Sequence, residues 1–189
     1  MTDPLFRSAY EALIFAYNYS GQQYARTPMS KIAAPVASGK GLCGTDGAAQ
    51  AGMIRSEVAS LGKLHEAAVI ARCAPVSSPC SCGRDCCSRK KKNREWTNAI
   101  NILEQHLEKD VLSNCYTTFD MRIQYLTKFY CSKADQVSFY AISCNNDVCT
   151  KTVKNHFSIV KNSLFGKSGI ETIAMSRLES RFSDLGLVG

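Results

Sequence analysis

An all-α fold is predicted by three observations. Apolar residues recur at intervals of three and four along most of the 189 residues, which is the period of an amphipathic helix. No stretch alternates apolar and polar residues long enough to argue for a sheet. The densest cluster of turn-formers, Pro28, Pro35, Gly39, Gly41 and Gly44, falls between periodic segments. Hydrophobic residues make up 45% of the chain, ordinary for a globular protein and enough to build a core. Three regions are expected. Residues 1–44 form a first helix and a Pro/Gly-rich arm, and 45–115 a helical region interrupted at 73–94 by a cysteine-rich basic loop. Residues 116–189 carry the remaining helices.

The first helix follows Pro4, with Phe6, Tyr10, Leu13, Ile14 and Tyr17 at helical spacing, and ends near Gly21. Pro28, Pro35, Gly39, Gly41 and Gly44 then break the pattern, leaving an irregular arm or linker with Lys31 and Lys40. Thr45 is a candidate N-cap for one long helix through Met53, Ile54, Val58, Leu61, Leu64, Ala68 and Ile70, ending near Pro75. Gly47, Gly52 and Gly62 weaken it by up to about 1 kcal/mol each. Beyond the cysteines, Trp96 to Leu107 makes an amphipathic helix with Trp96, Ile100, Leu103 and Leu107 inward. Phe119 to Tyr130 makes another, through Ile123 and Leu126. Ile170 to Phe182 makes the last, closed by Gly186.

Between these, Ser138 to Leu164 reads as a short helix, a polar break and a longer basic helix, the layout of a helix-turn-helix. Phe139, Ile142, Val148, Val153, Phe157, Val160 and Leu164 are spaced to close a small core on Phe119–Tyr130. Asn145, Asn146 and Asp147 suit the turn, because their side chains bond local backbone. Cys149 or Thr150 leads into the second helix, Thr150 being the better cap. The expected outward set is Thr150, Lys151, Thr152, Lys154, Asn155 and His156. In a major groove Asn155 suits adenine, and Lys151 or Lys154 suits guanine. Lys161 and Lys167 suit phosphates.

Lys and Arg total 23 against 16 Asp and Glu, a formal charge of +7, which favours a nucleic-acid partner. Arg84, Arg89, Lys90, Lys91, Lys92 and Arg94 form the densest cationic stretch, a second basic patch suited to phosphates. Just before it, Cys80, Cys82, Cys86 and Cys87 offer four sulfurs to a structural zinc, with Cys73, Cys43 or His65 as a substitute ligand. Reduced cysteines without metal are the alternative. Cys115, Cys131 and Cys144 read as small buried hydrophobes. No export leader and no membrane-length apolar run is visible, so a cytoplasmic protein with reduced thiols is expected. His65, His106 and His156 belong to no catalytic pattern, so no enzymatic activity is expected.

The string TKTVKNH, residues 150–156, resembles the recognition-helix start of sigma-factor region 4 and LuxR-type domains. Ile142-Ser143 stands where an isoleucine-alanine pair is usual, Asp147 where the turn glycine is, and Cys149 where a serine cap is. From about Gly44 to Gly189 the chain resembles the Q antitermination proteins of lambdoid phages. It is likewise similar to their prophage and chromosomal relatives, including the Pseudomonas self-lysis regulator. The resemblance rests on GMIRSEV, PCSCGRDCC, EWTNAI, TKTVKNHFSIVKNSLFG and GIETIAMSRLESRF.

It implies a factor that binds double-stranded DNA near a promoter. The factor then loads onto bacterial RNA polymerase holoenzyme at a sigma-dependent pause and travels with the enzyme, suppressing pausing and termination. In some members it narrows the RNA exit path. By the same resemblance Lys151, Lys154 and Asn155 read the DNA. The segment around Lys90 to Lys92 and the arm are candidates for contact with polymerase or nascent RNA. Some Q proteins lack comparable cysteines, so the zinc reading rests on the residues alone. Two other roles fit the same motif: a conventional repressor or activator acting at initiation, and a dissociable sigma-like or anti-sigma factor.

Overall fold

The computed structural model describes residues 4–19, 44–80, 82, 84 and 88–189. The expected Pro/Gly-rich arm, with Lys31, Lys40 and Cys43, lies outside them, as do Cys86 and Cys87. The described residues are predominantly helical, as expected: α1 Ala9–Asn18, α2 Gly44–Ala59, α3 Lys63–Cys73, α4 Arg94–His106, α5 Phe119–Tyr130, α6 Phe139–Asn145, α7 Thr150–Phe165 and α8 Ile170–Asp184. Two strands, β1 Ser77–Pro79 and β2 Lys90–Lys92, pair antiparallel.

The chain divides into two compact units, one comprising Met175–Gly189 with the described part of Met1–Leu61, the other Gly62–Ala174. This division differs from the expected boundaries near 44 and 115. In the first unit Ser8 caps α1 by accepting from the Glu11 amide, so the helix starts later than the position of Pro4 predicts. Phe6 instead forms a parallel bridge with Val188, and its amide donates to the Leu187 carbonyl at 2.9 Å. Contacts between residues so far apart in the chain leave no local sequence signal. Leu13, Ala16, Ile54, Val58, Leu178 and Phe182 are buried in this unit.

The single long helix expected from Thr45 to Pro75 is two helices. Gly62 has φ +89°, a conformation open to glycine and strained for other residues, and the helical backbone is interrupted there, ending α2 before α3 begins. Helix α4 buries Ala99, Ile100, Leu103 and Glu104, while Trp96 is half-buried and donates from its indole to the Ala71 carbonyl at 3.1 Å. A π-helical turn, Leu107–Val111, continues α4, with Leu107 buried as expected.

Helix α5 occupies the predicted span, capped by Thr118. It carries a buried cation that periodicity does not register. Arg122 donates from Nε to Glu104 at 2.7 Å, from Nη2 to Glu108 at 2.8 Å and from Nη1 to the Thr117 carbonyl at 2.9 Å. Arg72 on α3 engages Glu171 at 2.8 and 3.2 Å, donates to the Phe129 carbonyl, and lies over the Tyr130 and Phe165 rings. No described helix is long and apolar enough to cross a membrane.

Candidate nucleic-acid interface

The α6–α7 pair is built on α5. Ile142, Val153, Val160 and Leu164 are fully buried, and Phe157 stacks on Phe129 with centroids 4.4 Å apart and planes 4° from parallel. Phe139 meets the same Phe157 ring edge-on at 5.0 Å. These aromatic contacts hold α7 on α5 along the inward face that the apolar spacing predicts.

Side-chain and backbone bonds fix the turn. Asn146 donates to the Ile142 carbonyl at 2.9 Å and accepts from the Thr118 hydroxyl at 2.7 Å, joining the turn to the start of α5. The Val148 amide donates to the Ser143 carbonyl at 3.1 Å, and the Thr150 hydroxyl donates to Ser143 Oγ at 3.0 Å. Asp147 has φ +53°, in the left-handed region that aspartate tolerates better than most side chains. This is the position where the resemblance places a turn glycine.

Outward from this frame, Lys151, Lys154, Asn155 and Lys161 are exposed, and Thr152 is half-buried. Helical spacing puts the first four on one face, together with exposed Ser158 and Asn162. The expected set omits those last two, although the same period from Lys151 reaches them. Helix α7 contains no Asp or Glu, and its three lysines form no ion pair among the described residues. Its start has no favourable local compensation. The N-cap is Cys149, with no side-chain cap bond, and the first turn holds no acid.

Two members of the expected outward set behave differently. His156 is buried, 6% exposed, with Nδ1 lying 3.4 Å from the Tyr125 hydroxyl. Its position, three residues beyond Val153 and four before Val160, belongs to the inward face. Burial lowers its pKa from the ordinary 6.5, because the charged form is poorly solvated there. Thr150 is half-buried and engaged with Ser143 as the first residue of α7, so the cap position falls to Cys149.

The second basic patch is carried on a β-ribbon, an element the lack of alternation did not suggest. Lys90, Lys91 and Lys92 constitute β2, and Arg84, Arg89 and Arg94 are exposed beside it. The Cys80 amide donates to the Arg89 carbonyl at 2.8 Å, closing the ribbon at its loop end. Cys80 is half-buried and Cys82 exposed. Among the described residues no three His, Cys, Asp or Glu gather to hold a metal, so Cys73, Cys80 and Cys82 do not form such a group. Cys73 is buried on α3, and burial pushes its thiol up to about 12. His65 lies half-buried on the same helix. Cys115 and Cys131 are half-buried, whereas Cys144 is exposed on α6 in place of the burial expected of it.

No protein-family model, curated protein or solved structure matches this chain.

Proposed function

We propose that this protein is a transcription antitermination factor. It uses α6 and α7 as a helix-turn-helix to bind a promoter-proximal DNA element, and loads from there onto paused RNA polymerase holoenzyme to promote read-through. The observation that carries the DNA-binding part is the outward face of α7, where Lys151, Lys154, Asn155 and Lys161 stand together without an acidic partner. A helix of that width enters a major groove. Its uncapped, lysine-bearing start gives up local stability, and a phosphate at that end supplies the missing charge. The choice of antitermination over regulation at initiation rests on the resemblance to Q proteins. The protein acts by binding, without catalysis of its own. A structural zinc on Cys80, Cys82, Cys86 and Cys87 is part of the proposal, and zinc content of the reduced, purified protein tests it.

The deciding experiment is transcription by purified holoenzyme on the protein's own upstream promoter region, with an intrinsic terminator downstream. Added once polymerase has escaped and paused, the protein raises the fraction of transcripts passing the terminator, on templates carrying its DNA element alone. Unchanged read-through with altered initiation would make it a conventional repressor or activator. Lys154→Ala is expected to abolish loading while the circular dichroism spectrum is retained. Full loading by that variant would remove α7 from the DNA.

A further inference from the structure

The ribbon has no buried face. Its register pairs Ser77 with Lys92, Ser78 with Lys91 and Pro79 with Lys90. Directly paired residues share a face and successive residues alternate. Lys90 and Lys92 therefore stand on one face and Lys91 on the other. All three lysines are exposed, as are Ser78 and Pro79. A two-stranded hairpin without an apolar face is marginal in water, yet this one is rooted firmly. The Asn93 amide donates to the Val76 carbonyl at 3.0 Å, and Asn93 Nδ2 donates to the Pro75 carbonyl at 2.8 Å. The same Asn93 caps α4 by accepting from the Glu95 amide. Residues 84–94 hold six cations, Arg84, Arg89, Lys90, Lys91, Lys92 and Arg94, against one acid, Asp85. None of the six forms an ion pair among the described residues.

Lysines on a strand also guard a bare edge against pairing with another chain. That role is served by scattered charge, and mixing both signs avoids self-repulsion. A concentration of one sign on both faces calls for an anion on both sides. A nucleic-acid groove supplies that arrangement, because phosphates line its two walls, and the major groove of duplex DNA admits a two-stranded ribbon. We infer that the β1–β2 ribbon is a second DNA-binding element, seated in a groove of duplex DNA and held by Lys90, Lys91 and Lys92 on phosphates. The inference rests on the reading of this chain as a DNA-binding protein. It adds a contact that is independent of α7 and blind to base sequence.

The test uses the full-length protein and its Lys90→Gln/Lys91→Gln/Lys92→Gln variant. Binding is measured against salt on three probes of equal length: duplex DNA from the upstream region, unrelated duplex DNA, and single-stranded RNA. Each phosphate neutralised on duplex DNA contributes about 0.9 to the slope of log affinity against log salt. The variant should therefore be shallower by about 2.7 on both duplexes, with the ratio of the two affinities unchanged. Arginine at the three positions should restore the slope. Unchanged slopes on both duplexes would overturn the inference, and so would a loss confined to RNA. Loss of read-through with DNA binding intact would overturn it as well, assigning the ribbon to polymerase. Lys151→Ala/Lys154→Ala serves as the companion variant. If it leaves DNA binding untouched while the ribbon variant flattens the slope, the reading of α7 fails and the ribbon contact stands.

Discussion

His156 follows the exposed Lys154 and Asn155 on α7, yet its ring turns inward against Tyr125 with centroids 6.3 Å apart. Because burial lowers its pKa below 6.5, the folded chain binds fewer protons at this site than the unfolded chain in mildly acidic solution. Stability from this site is intact above the ordinary value and is lost as pH falls towards the folded pKa. Urea midpoints compared at about pH 7.5 and about pH 5.5 should fall less for His156→Gln than for the parent protein. His65 and His106 remain in both proteins, so the difference isolates His156. Asp147 makes a separate point. A side chain at φ +53° is held there by bonds on both sides of it, from Asn146 and to the Ser143 carbonyl. The turn geometry that glycine would adopt freely is thus imposed by its neighbours.

Two elements show where local and long-range forces divide. Helix α7 begins without a cap bond, and a hydroxyl at Cys149 would accept from an amide of the first turn. Cys149→Ser is expected to raise stability by about 1 kcal/mol, read as a higher melting temperature. Helix α5, by contrast, is tied to α4 by Arg122 and Glu104, whose side chains are only 7% and 5% exposed. Removing one partner strands the other charge away from water. Arg122→Met should cost about 3–5 kcal/mol, seen as a lower urea midpoint. Adding Glu104→Leu should recover most of the loss, because an apolar pair needs no counter-ion. Failure of the double variant to recover would show that Arg122 acts chiefly through its bonds to Thr117 and Glu108.

Across the whole chain, residues far apart in sequence complete each unit. Leu187 and Val188 are buried beside the Phe6 segment, and Phe182 is fully buried in the same unit. Glu179 accepts from the Ala9 amide at 3.0 Å at the start of α1. Leu187→Ala is expected to cost about 2–5 kcal/mol. Hydrogen exchange should then show α1 losing protection, while Gly62–Ala174 keeps its own. Equal loss in both units would mean that they unfold as one.

The spacing of apolar residues was sufficient to specify the helical class, the span of α5 and the inward face of α7, because those properties depend on neighbours within a turn or two. Lys151, Lys154, Asn155 and Lys161 were legible as an exposed set for the same reason. Where α2 ends and α3 begins depends on the backbone that Gly62 adopts, and glycine alone does not announce a break. The ribbon was illegible, since its strands are three residues each, too short to display alternation. The polarity of His156 predicts exposure to water, whereas helical phase puts it in the core. The pairings of Arg72 with Glu171 and Arg122 with Glu104, and the bridge from Phe6 to Val188, join residues that the chain itself separates. Such contacts exist only once packing has brought their segments together, and no local pattern encodes them.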